Sequence, residues 1–228
     1  MTVHFGEVTI DWLGYATARI EGKDGTVVYT DPGRYGVLDG YDARDGDVVL
    51  VTHDHHYDSD GIRRVANDDA TVVVYEAVDP SGIDRPVEML DELPYDLVRT
   101  AVDDELMLID ETVTVAVTPA QNLPPERGSH VPGFGCGYRF TVDGTAVYWP
   151  GDTDRLEEFD AIETSVLLAN IGGGPVMDRH DAAAIAEAVG PDLVVPIHYD
   201  TIPMLEADSA AFVVDVACRS IPISLDEN

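Results

Sequence analysis

Apolar residues along this chain fall into short, β-branched runs separated by turn residues, with no internal repeat and no low-complexity segment. "VTIDWLG", "TARIE" and "TVVYTDP" predict three opening strands, the second and third joined through the turn "GKDG". "DVVLVTH" opens with a continuous apolar run, as a strand buried on both faces does. "DGIRRVAND" predicts a short helix and "TVVVYE" a further strand, whereas residues 83–111 follow no single period. "ETVTVAVTPA", "GCGYRFTVDG" and "TAVYWPGDT" predict three strands, the last two forming a hairpin that turns at "VDGT". The remainder reads as strand "SVLLANIGG", helix "DRHDAAAIAEAVG" closed by Gly190, strand "DLVVPIHYD" and helix "DSAAFVVDVACRS". Hairpins early and strand–helix alternation late imply mixed sheets with helices packed outside them, a layered α/β fold. With 228 residues, 45% of them hydrophobic, the chain is expected to form a single domain over residues 1–228 around one core.

Three of the apolar runs deliver a metal-ligand residue type at their carboxyl ends. "VVLVT" runs into His53, "AVYWPG" into Asp152 and "LVVPI" into His198. Ligands of α/β sheets bind at the carboxyl ends of strands, so the three are expected to converge on one cleft. In "HDHH", His53 and His55 stand one residue apart and point to the same side of an extended segment. Imidazole and carboxylate without cysteine suit zinc first, with manganese or iron as alternatives. Singly these signals are weak. A histidine after a strand is often only a polar cap, and Gly-Asp-Thr is also a common turn.

The succession of "THDH", "TPA", "YWPGDTD" and "VVPIHYDT" resembles the metallo-β-lactamase superfamily. More narrowly, it is similar to metal-dependent hydrolases that include ascorbate-phosphate-lactonase-like proteins. "DWLGYATARIE", "TDPG", "GFGCGYRF" and "MDRHDAAAIAEAVGPDLVVPIHYDT" extend the likeness over nearly the whole chain. It implies a four-layer αββα sandwich with mixed sheets, one or two metal ions at its edge, and hydrolysis by a metal-activated water of an ester, lactone, amide or phosphoester of a small molecule. The superfamily signature His-x-His-x-Asp-His, laid on His53, keeps His53 and His55 but meets Tyr57 and Asp58 where aspartate and histidine belong. Laid one residue later it meets Asp54, His56, Asp58 and Ser59, so the first register is preferred; His56 either ligates in the second register or, as favoured, points away. Asp58 would then replace the last histidine, as ligand or as general base. Asn122 stands where a third histidine is usual and is expected to hydrogen-bond substrate or water. His130 is the candidate to replace that histidine. The resulting expectation is a metal set of His53, His55, Asp58, His130, Asp152 and His198, with Asp58 and Asp152 as catalytic carboxylates. Asn122 and Tyr199 would touch the substrate, and Tyr57 or Tyr199 would face the oxyanion. His4 and His180 are expected to be non-ligands. Arg34, Arg127 and Arg139 are isolated candidates for anchoring an anion. The departures from the signature also admit a folded but catalytically silent member, acting as a metal-binding or interaction protein.

Charge narrows the partners. Lys+Arg number 13 against 44 Asp+Glu, for a formal net charge of −31, and Lys23 is the sole lysine. Such a body repels nucleic-acid phosphates and anionic membranes, leaving a small molecule as the expected partner; nothing in the sequence fixes an oligomeric state. No apolar run approaches the roughly 20 residues of a membrane span, and "MTVHFGEVTI" lacks the marks of a signal peptide, so a cytoplasmic location is expected. Cys136 and Cys218 show no paired spacing and are expected to be free thiols. The acidity suits high intracellular salt, since screening over about 3 Å at molar ionic strength quenches self-repulsion. Thermal melts across a KCl series test this: Tm is expected to climb with salt, and a flat or falling series removes the halophilic reading.

Overall fold

The computed structural model describes residues 1–102, 106–109, 111–124, 129–174 and 176–224. The first sheet holds β1 (Thr2–Phe5), β2 (Val8–Gly14), β3 (Thr17–Gly22), β4 (Val27–Thr30), β5 (Gly46–Val51), β6 (Ala66–Tyr75) and β7 (Asp96–Thr100), side by side in chain order. Its first four strands pair antiparallel and its last four parallel. The second sheet takes β8 (Met107–Ile109), β9 (Val113–Ala120), β10 (Gly135–Val142), β11 (Thr145–Trp149), β12 (Val166–Asn170) and β13 (Leu193–Ile197), again neighbouring in chain order. Here β8 to β11 are antiparallel, and β11, β12 and β13 are parallel. Helix α1 (Ser59–Val65) follows β5, α2 (Arg179–Val189) links β12 to β13, and α3 (Ser209–Ala217) follows β13.

Two apolar clusters explain the layering. One lies between the sheets and includes Ile10, Ile20, Leu50, Val72, Val115, Phe140 and Trp149. The other joins Tyr148, Leu167 and Val194 of the second sheet to Ile185 of α2 and Phe212 of α3. A strand with both faces covered has no polar face to offer, which is why β12 and β13 are buried at every position. The result is the αββα arrangement of mixed sheets with few helices. Among the described residues no helix is long and apolar enough to cross a membrane. Cys136 is a buried free thiol and Cys218 an exposed one.

Two local expectations are corrected. Thr2–Phe5 is a strand that its mixed composition did not signal; it is held by pairing with β2, Thr2 opposite Asp11 and Phe5 opposite Val8. The helix expected through "AND" stops at Val65. Ala66 turns to ψ 133°, and Ala66–Tyr75 runs on as β6, because the β-branched stretch Thr71–Val74 gains a partner in β5.

Helix α1 is pressed against the loop after β4. A Cβ added to Gly61 would stand 2.2 Å from the Pro32 carbonyl oxygen and 2.8 Å from the Gly33 Cα. Alanine gains about 1 kcal/mol over glycine inside a helix, but overpacking against fixed backbone costs about 1–3 kcal/mol or more. Gly61→Ala is therefore expected to lower Tm by several degrees. An unchanged or raised Tm by calorimetry would show that the loop yields.

Candidate metal centre

Strands β2, β4, β5, β9, β11 and β13 share one direction, and the polar residues that follow them meet at one edge. After β5 the chain does not stay extended. The His53 carbonyl accepts from the amides of both His56 and Tyr57, at 3.0 and 3.1 Å, and this tight turn brings His53, His55 and His56 to the same side. Gly151 precedes Asp152 at φ +69°, where a Cβ would stand 2.3 Å from the Cys136 carbonyl oxygen, so only glycine lets the end of β11 come this close to β10. His198 is left-handed at φ +58°, its amide donating to the Tyr15 carbonyl at 3.0 Å.

Asp152 joins two sets of imidazole nitrogens. Its Oδ2 lies 3.6 Å from His53 Nε2 and 3.5 Å from His130 Nε2. His130 Nε2 in turn is 3.2 Å from His55 Nδ1. Its Oδ1 lies 3.5 Å from His56 Nε2 and 3.4 Å from His198 Nε2. Those two nitrogens are 3.2 Å apart. Donors bound tetrahedrally to zinc at about 2.0–2.1 Å are separated by roughly 3.3 Å, so both sets have the spacing of donors around one ion.

Neighbouring groups aim the lone pairs inward. The Thr52 hydroxyl donates its one proton to Asp31 Oδ2 at 2.8 Å. It must therefore accept from His53 Nδ1, 2.9 Å away, which leaves His53 Nε2 as a bare acceptor without a hydrogen-bond partner among the described residues. Asp31 accepts from His56 Nδ1 at 2.9 Å and Asn122 Oδ1 from His130 Nδ1 at 3.1 Å, freeing each Nε2 in the same way. Asp31 is held by the Thr52 amide at 2.8 Å and Trp149 Nε1 at 2.7 Å. Asn170 Nδ2 donates to Asp152 Oδ1 at 3.3 Å. Such outer partners fix ring tautomers in metal sites.

Electrostatics point the same way. Burial first, and neighbouring imidazoles second, push His53 and His56 well below the ordinary histidine range. Burial takes His198 down to about 3. All three are neutral at neutral pH and can donate lone pairs. Burial, then the charge of Asp31, drives Asp152 well up, and burial lifts Asp31 to about 6. Among the described residues the ion-pair neighbours of Asp152 are four histidines, with no lysine or arginine. A buried carboxylate surrounded by neutral imidazoles lacks positive charge, and a divalent cation supplies it. The residues present fit a metal.

A beta-lactamase superfamily domain is matched over residues 9–198. This chain belongs to the β-lactamase superfamily. It is 30% identical to a UPF0173 metal-dependent hydrolase of Methanosphaerula palustris over 211 residues, covering 89% of this chain and 88% of that protein. In fold it is similar to Igni18, a metallo hydrolase from Ignicoccus hospitalis, with TM-score 0.70, 24% identity, and 96% and 95% of the two chains covered. A candidate metal-dependent hydrolase from Parabacteroides distasonis gives TM-score 0.76 at 19% identity, covering 100% and 98%. The chain is thus a metal-dependent hydrolase of the superfamily. The missing carboxylate–histidine pair that suggested a silent member has counterparts here in Asp31 and His56.

Of the residues expected at the superfamily site, His53, His55, His130, Asp152 and His198 are brought together. His56, expected outside, joins them because of the turn. Asp58 does not. It caps α1, Oδ1 accepting from the Gly61 amide and Oδ2 from the Arg34 amide, both at 3.0 Å, so it is neither a donor in the cluster nor placed as a base. Asn122 is buried behind His130 and orients that ring instead of lining the cavity. Tyr199 stacks on Trp12 at 4.6 Å, and the Tyr57 hydroxyl donates to the Glu88 carbonyl, so neither faces a substrate. Arg139 donates to the Glu163 carbonyl away from the cleft, and Arg127 lies outside the described residues. His4 and His180 are paired elsewhere, with Thr9 and Asp215. Tyr15, Asp31, Thr52 and Asn170 had no signal of their own beyond "TDPG" and strand-end position. Asp58→Ala is expected to remove a helix cap worth about 1 kcal/mol and lower Tm while metal content stays at the wild-type value. Loss of metal on elemental analysis would return Asp58 to the site.

Proposed function

We propose that the superfamily enzyme uses two ions, zinc first, which its histidines and Asp152 would hold, and hydrolyses an ester, lactone or phosphoester of a small molecule. His53, His55 and His130 would hold one ion, and His56 and His198 the other. The observation that carries this reading is the division of Asp152, one oxygen facing each set of neutral imidazoles. Nitrogen and oxygen donors without thiolate favour zinc, with manganese or iron the alternatives.

When bound, such ions acidify a water and polarise the oxygen of the bond to be cleaved. The protein supplies the rest. A cavity of about 260 Å³ opens over Asp152, His55, His130 and His198, which suits a small substrate. Ile202, Met204 and Leu205 form its apolar wall and exclude water from the buried part of a substrate. Tyr15 lines the cavity, its ring 4.5 Å from that of His198, and among the described residues its hydroxyl has no hydrogen-bond partner. Burial, reinforced by the charge of Asp152, raises its pKa, so it stays protonated and can donate to an oxyanion. Support for this placement comes from the backbone: Tyr15, Asp31 and His198 all sit at positive φ, and strain of that kind collects at functional sites.

Elemental analysis of the purified protein, with hydrolysis assays on a panel of esters, lactones and phosphoesters, tests the proposal. About two equivalents of transition metal and turnover of at least one class are expected. Asp152→Ala is expected to fall below about half an equivalent and to lose turnover. Metal retained in full by Asp152→Ala, or a metal-loaded wild type inert across the panel, refutes it.

A further inference from the structure

The loop between β4 and the turn before β5 holds an arginine in an unusual position. Arg34 lines the cavity that opens over Asp152, and it is the sole lysine or arginine to do so among the described residues. Eight of the described cations sit in salt bridges with carboxylates. Arg34, like Arg85, Arg99 and Arg139, has none among the described residues, in a chain where acids outnumber bases 44 to 13. Of these four, Arg34 alone lines the cavity.

The backbone is arranged to put it there. Arg34 and Tyr35 are consecutive left-handed residues, at φ +64° and +51°. Neither is glycine, so the conformation is held by its surroundings. The Asp58 carboxylate accepts from the Arg34 amide at 3.0 Å, and the Thr17 hydroxyl accepts from the Gly33 amide at 3.0 Å. The guanidinium is then steadied on one side only. Nη1 donates to the His55 carbonyl, Nη2 to the Tyr35 hydroxyl at 3.2 Å, and its carbon stands 4.7 Å above the Tyr35 ring. A guanidinium has five N–H groups, so two of them fix it and three remain.

We propose that Arg34 clamps a carboxylate of the substrate remote from the bond that is cleaved, so the substrate is a small carboxylated ester, lactone or phosphoester. This deepens the hydrolase reading above and rests on it. A planar fork with free N–H groups matches a carboxylate bidentately. One guanidinium also balances one negative charge, whereas a phosphate carries about −1.5 to −2 and has no second cation along this wall among the described residues. The apolar side chains of Ile202, Met204 and Leu205 then take the hydrocarbon between the two polar ends.

The test is a binding cycle on the metal-loaded full chain at fixed KCl. Succinate, glutarate and adipate are compared with butyrate, in wild type and in Arg34→Gln, by calorimetry. In each probe one carboxylate can sit at the Asp152 end, and only the dicarboxylates bring a second to Arg34. At least one dicarboxylate is expected to bind wild type about 10-fold or more tighter than butyrate, and Arg34→Gln to bring the two within about 2-fold. A preference that survives in Arg34→Gln, or one absent from wild type across the series, overturns the inference. If Arg34→Gln does not fold, Arg34→Lys takes its place. It keeps the charge without the fork, is expected to lose at least about 3-fold of the preference, and overturns the inference if it keeps it whole. Metal content of the same samples separates the two claims. Samples without metal refute the hydrolase reading, and the dicarboxylate comparison still reads Arg34. Samples with metal but no Arg34-dependent preference refute the inference alone.

Discussion

The structure at the sheet edge depends on one buried charge. Asp152 is 4% exposed and lies among imidazole nitrogens at 3.4 to 3.6 Å, with one weak amide donor from Asn170. Leaving a carboxylate in such a place costs several kcal/mol unless positive charge compensates it. Four buried histidines could have done so by protonation. Instead, burial and neighbouring imidazoles keep His53 and His56 neutral, and burial keeps His198 neutral. Their outward ring nitrogens are occupied by Thr52, Asp31 and Asn122, so that Nε2 of His53, His56 and His130 cannot carry the proton. Burial also drives the Asp152 carboxyl well up, so it can hold a proton instead, and a divalent cation that displaces this proton restores the carboxylate.

Much of the frame was readable from the sequence because buried strands are conspicuous. Val48–Val51, Val147–Trp149 and Leu193–Ile197 leave no polar face, so the first polar residue after each stands out, and each such residue or its near neighbour reaches the site. The hairpin at "VDGT" and the cap at Gly190 were readable for the same local reason, since the φ values they need favour glycine. Pairing without pattern was not readable. Strand β1 alternates poorly and is defined by β2, and three-residue β8 is defined by β9.

The site was readable by residue type and misread by position. Reading 53–55 as extended put His53 and His55 on one side, while the signature laid on His53, not strand geometry, passed over His56 and gave Asp58 the last ligand position. Two hydrogen bonds to the His53 carbonyl replace that geometry with a turn. His56 then enters the cleft, and Asp58 is carried far enough to start α1. The carboxylate partner of the imidazole is Asp31, supplied from another strand. Where the signature has histidine, Asp58 caps α1, and within the cleft His56 is paired with the Asp31 carboxylate that follows β4. Tyr15 was missed for a related reason, and Arg34 was named only as one of three isolated anion-anchoring candidates. Both sit at positive φ without being glycine, and a conformation imposed by tertiary contacts leaves no local trace.

The same electrostatics bear on how this enzyme meets its substrate. A body with 44 acids and 13 bases repels an anion at a distance when ionic strength is low. At molar salt, however, charge is felt over only about 3 Å, so the surface neither repels nor steers. Recognition then falls to groups in direct contact, where water is excluded and screening fails. In the cavity over Asp152 those groups include, among the described residues, the Arg34 guanidinium, the Tyr15 phenol and the apolar wall of Ile202, Met204 and Leu205. At such ionic strength surface and cleft act independently on an approaching substrate. That independence allows Arg34 to stay without an acid partner in so acidic a chain. A carboxylate from the protein's own surface placed against it would occupy the contact that the cavity holds open.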